Sequence, residues 1–155
     1  MPYMIFAMFT FLLSTKSAMS QHHLAYVSPN STVLHHSKKT IQLKTQNNTQ
    51  ITLYLDTKGE LEAAEGVNLN RGDIFYPGQG ILSLSDIEKR MKSLGEKTYG
   101  RWMFTKYQEY GWVYKLNVAV KGEPIFHMVN AYSGQLIGSM SKFAPLQVEG
   151  QIAKD

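Results

Sequence analysis

From Thr40 onward, apolar and polar residues alternate with a period of two. Ile41 and Leu43 alternate with Gln42 and Lys44, and Ile51, Leu53 and Leu55 alternate again after the turn-forming Gln46-Asn47-Asn48. That pattern predicts a hairpin with one apolar face. Asp56-Thr57-Lys58-Gly59 turns the chain, and residues 60–65 can return as a third short strand. Asn68 to Gly80 is dense in Gly, Asn, Asp and Pro and reads as an ordered connecting loop.

The period then changes. Ile87, Met91 and Leu94 fall at helical spacing, with Glu88, Lys89, Arg90 and Lys92 between them. Ser85 and Glu88 have the spacing of a capping box, and Gly95 is placed to end the helix in a left-handed cap. About ten residues of helix are marginal alone in water, so the stripe must dock on something. Four strands are predicted downstream, over 101–107, 112–121, 125–130 and 135–140. Turn-forming Glu109-Tyr110-Gly111, Gly122-Glu123-Pro124 and Ser133-Gly134 separate them. In the second strand Trp112, Tyr114, Leu116, Val118 and Val120 share one face, with Lys115, Asn117 and Lys121 opposite. The fold class expected is α+β: an antiparallel β-sheet packed against one short α-helix, with an additional N-terminal β-hairpin region.

Residues 1–20 have another character. Met4 to Leu13 is an uncharged apolar run in which Thr10 alone is polar, too short to cross a bilayer, which takes about 20 residues. Small residues follow, and Ala18-Met19-Ser20 fits a signal-peptidase site before Gln21. The expectation is a cleaved signal peptide, a periplasmic or secreted bacterial protein, and no stable membrane insertion afterwards. Residues 21–39 read as a flexible His- and Ser-rich arm, 40–80 as the hairpin and its connecting loop, 81–143 as the sheet-and-helix domain and 144–155 as a tail.

Composition narrows the chemistry. The chain has 155 residues, no cysteine and a net charge of +4. Disulfides, thiolate zinc sites and cysteine nucleophiles are excluded, and so mild a charge demands neither nucleic acid nor membrane. No HExxH, GxSxG, SxxK or phosphate-loop motif is present, so the chain reads as a non-enzyme without a required cofactor.

The order helix, strand, Gly turn, long strand, turn, strand, and then Asn130-Ala131-Tyr132-Ser133-Gly134-Gln135-Leu136, resembles the PepSY domain family over about Leu82 to Ile137. Asn130 stands where that family often has Asp. The resemblance implies a short helix followed by an antiparallel sheet, in an exported protein of proteobacterial type. It also implies a binding or inhibitory module whose protein partner is a peptidase or another envelope protein. Leu55-Asp56-Thr57-Lys58-Gly59-Glu60-Leu61 echoes the 129–136 stretch with one residue fewer, as any two hairpins of this length can.

Two sets of residues are candidates for contact. Seven aromatics lie between Tyr99 and Tyr114, and most alternate as core positions do. Tyr107 and Tyr110, at the predicted hairpin tip, and Arg101, which lies among the aromatics, are the candidate partner contacts. The alternative function is periplasmic binding of copper, nickel or a small ligand by His22, His23, His35 and His36. After cleavage before Gln21, His23 would stand third, where a free amine, two amides and an imidazole suit square-planar Cu(II) or Ni(II). His127, in register with Ile125 and Val129, reads as a partly buried, hydrogen-bonded histidine.

Overall fold

Alternation becomes pairing almost everywhere the sequence shows it. The computed structural model describes residues 26, 27, 30–67, 69, 74–120 and 123–140. Within them the strands are β1 (Thr32–His36), β2 (Thr40–Lys44), β3 (Gln50–Leu55), β4 (Leu61–Gly66), β5 (Thr98–Tyr107), β6 (Gly111–Val120), β7 (Glu123–Asn130) and β8 (Leu136–Met140). One helix, α1 (Leu84–Ser93), lies between β4 and β5. The strands form one antiparallel sheet whose spatial order is the sequence order.

The α+β expectation is therefore corrected. The molecule is sheet-dominated, and its N-terminal strands are not a hairpin appended to a sheet-and-helix unit. They join the same sheet through β4 and β5, where Ala64 pairs with Phe104 and Gly66 with Trp102. Physically, Ala64 and Gly66 are the small residues that let a strand sit beside two large rings. Residues 32–36, expected in a loose arm, form β1, so the sheet runs without a break across residue 80.

One face carries the core. Leu43, Ile51, Gly66, Trp102, Leu116 and His127 make one row across β2 to β7, and Leu53, Ala64, Phe104, Tyr114 and Val129 the next. Against them pack Leu84, Ile87 and Met91 of α1, with Phe75 and Val27 from the flanking segments. Phe75 sits 5.1 Å from Trp102 and 5.2 Å from Phe104 between ring centroids. Full burial of such side chains is worth about 1.5–3 kcal/mol each, which is how a ten-residue helix stays folded.

The helix ends differ in detail from expectation. Ser83, not Ser85, is the N-cap, its Oγ accepting from the amide of Asp86 at 3.2 Å. Starting there places Leu84 inside, fully buried. The C-terminus closes as a Schellman motif: the amide of Glu96 donates to Met91 O and that of Gly95 to Lys92 O, with Gly95 at φ +83°. Leu94, expected in the apolar stripe, is the C-cap and is 64% exposed.

Candidate functional site

Of the two outermost strands, β1 and β8, β1 is the more accessible. All five residues of β1 are exposed, including Val33 and Leu34. It pairs with β2 on one side, and among the described residues no strand lies on the other. At its end Ser37 Oγ accepts from the amides of Lys39 at 3.2 Å and Thr40 at 3.0 Å. That local turn leaves the Lys38 and Lys39 side chains exposed.

The face opposite the helix carries a polar chain. Tyr54 donates from Oη to Glu65 Oε1 at 2.7 Å, and Arg101 donates from Nη2 to Glu65 Oε2 at 2.8 Å. Partial burial, then the hydrogen bond to Glu65, pushes the Tyr54 phenol up to about 12. Arg101, expected as a partner contact, is thus already committed to a carboxylate. Further along this face the Lys115 ammonium lies 5.1 Å from the Tyr107 ring centroid, and Lys115 is buried where the alternation placed it simply opposite the core.

Tyr107 and Tyr110 come to one end of the sheet, at the β5–β6 turn. Arg101 stands six residues back along β5, about 20 Å away at 3.3 Å per residue. Tyr110 is exposed, and an unexpected neighbour joins it: Tyr132, from the β7–β8 turn, lies against Gly111. Its Cε2 is 3.0 Å from where a Cβ on Gly111 would stand. Tyr132 was visible only as part of a turn pattern, because its place against Gly111 depends on the register of β6 and β7.

The histidines are scattered. His35 and His36 are consecutive on β1, so their side chains leave opposite faces. Among the described residues no group of three His, Cys, Asp or Glu is placed to hold a metal ion. His22 and His23 lie outside the described residues, as does the leader.

His127 is buried and forms a hydrogen bond with Ser139 Oγ, 2.8 Å from its Nδ1. Glu96 Oε1 stands 3.5 Å from Nε2, which is buried and has no hydrogen-bond partner. A hydroxyl, an imidazole and a carboxylate in line have the composition of a nucleophile, base and orienter. The carboxylate is beyond hydrogen-bonding distance, however. One open groove beside the end of α1 is lined by Lys89, Lys92, Glu96 and Lys97 and by neither Ser139 nor His127. The set joins β7, β8 and the segment after the helix.

Neither a known protein family, a curated protein nor a solved structure matches this chain.

Proposed function

We propose that the chain is an exported, non-enzymatic binding module that takes an extended segment of another protein onto β1. The observation that carries this is the open edge: five exposed residues, two of them aliphatic, on a strand bonded on one side. A row of unpaired peptide groups is a template for strand addition, in which main-chain hydrogen bonds give affinity and alternate side chains give selectivity. The leader-like residues 1–20 support export, and no helix among the described residues is long and apolar enough to cross a membrane. The resemblance to PepSY supports a peptidase or another envelope protein as partner.

The test is site-specific photo-crosslinking in the producing cell, with a photoreactive phenylalanine analogue at position 34 or at position 57 in the β3–β4 turn. A discrete adduct from position 34 and none from position 57 is expected. No adduct from 34, or the same adducts from both, contradicts the reading. A second contact surface is favoured by the exposure of Tyr110 and Tyr132, each above 40%, on two turns that meet where Tyr132 lies against Gly111. Tyrosines of this kind supply large contact area at low entropic cost.

A further inference from the structure

The open edge has a one-sided charge distribution. The first 55 residues contain no Asp or Glu, and the first carboxylate of the sequence is Asp56. The other eleven acidic residues follow it, so β1, β2 and β3 carry only cationic or neutral side chains. Three lysines stand around β1. Lys38 and Lys39 occupy the β1–β2 turn at the His36 end, and Lys44 is the register partner of Thr32 at the other end. All three are exposed, and none is in an ion pair with a described residue.

We infer that the segment β1 takes up is an acidic extended peptide. Its carboxylates, placed toward both ends, meet Lys38 and Lys39 at one end of the strand and Lys44 at the other. This rests on the edge-strand reading above and adds the chemistry of the occupant. The spacing fits: five residues of strand span about 17 Å at 3.4 Å per residue, so acidic residues four to six apart on an added strand reach both ammonium groups. Between them, Val33 and Leu34, 39% and 53% exposed, offer aliphatic surface to the central residues of the peptide. Natural sheet edges discourage pairing with charges, proline or bulges on the strand itself; Thr32–His36 carries neither Lys, Arg nor Pro, and its one register shift lies between Val33 and His35. Its cations sit at the ends, where they select a partner's sign instead of blocking addition.

The experiment is fluorescence anisotropy of the purified chain with three labelled peptides of one design. Each alternates Thr and Val and ends in Glu, Gln or Lys at both termini. Binding of the Glu peptide at least tenfold tighter than the Lys peptide is expected, weakening as salt rises. The exposed double variant Lys38→Glu, Lys39→Glu should reduce it at least fivefold while the circular dichroism spectrum stays unchanged. Equal binding of all three peptides, with no effect of the double variant, overturns the acidic preference and leaves the edge reading standing. No binding of any of the three overturns both.

Discussion

The hydroxyl of Tyr54 donates to Glu65 from the adjacent strand at 2.7 Å, and the other oxygen of that carboxylate holds Arg101 from β5. Three strands are thereby tied on the face away from the helix. Partial burial first, and the bond to Glu65 second, favour the protonated phenol, and the folded value rises to about 12 from an ordinary 10. The unfolded chain therefore gives up this proton first as pH rises. The stabilisation is fully present below pH 10 and is lost as pH climbs toward 12. Urea unfolding across pH 9 to 11.5 should show stability falling, with a shallower fall in Tyr54→Phe. Identical slopes would contradict it.

Tyr114 does a similar task inside. Its hydroxyl donates to the carbonyl of Leu82 at 2.8 Å, tying the segment before α1 to β6. Burial first, and the Asp86 carboxylate second, push its ionisation well above the usual range. Tyr114→Phe leaves that carbonyl without its donor and should cost about 1–3 kcal/mol. Ultraviolet titration should show one tyrosine ionising only on unfolding.

Gly134 sits at φ +71°, and a Cβ there would collide with the Arg90 side chain lying across the β7–β8 turn. Gly134→Ala should destabilise by about 1–3 kcal/mol from backbone strain alone, with the collision added. Combined with Arg90→Ala, the loss should fall below the sum of the single effects, because the steric part disappears and the strain remains. Strict additivity in denaturant unfolding would show that the contact carries nothing.

Phe75→Ala should cost about 3–5 kcal/mol, since its ring meets Trp102, Phe104 and Tyr114 at once. Chemical denaturation measures it; a loss under 1 kcal/mol would place Phe75 outside the core.

Phe75 also marks the limit of what the sequence discloses. It lies in a Gly- and Pro-rich loop with no periodicity, so only the folded chain shows that it fills the space between α1 and the sheet. Strands were legible where side chains alternate, as at Ile51, Leu53 and Leu55 or Trp112, Tyr114 and Leu116. The turns were legible through Asp56 and Asn130: Asp56 Oδ1 accepts from Lys58 and Glu60, and Asn130 Oδ1 from Tyr132 and Ser133. Pairing between β4 and β5 was not legible. It joins residues some forty apart, and Ala63, Ala64 and Gly66 have no strong strand propensity. β1 was missed for a related reason, since an exposed edge strand needs no apolar face and Thr32–His36 has no alternation to detect. The turn that carries Tyr107 and Tyr110 was legible from Gly111 beside it, whereas the pairing of the half-exposed Arg101 with Glu65 depends on the β4–β5 register.

The central claim is that β1 is held from one side and open on the other. Residue-resolved amide hydrogen exchange on the free, monomeric chain tests it most directly. Amides of Thr32–His36 turned toward β2 should be protected, while those turned away exchange at nearly unfolded rates and become slow when the Glu-ended peptide is added. Uniform protection along the whole of β1 in the free monomer would contradict the account.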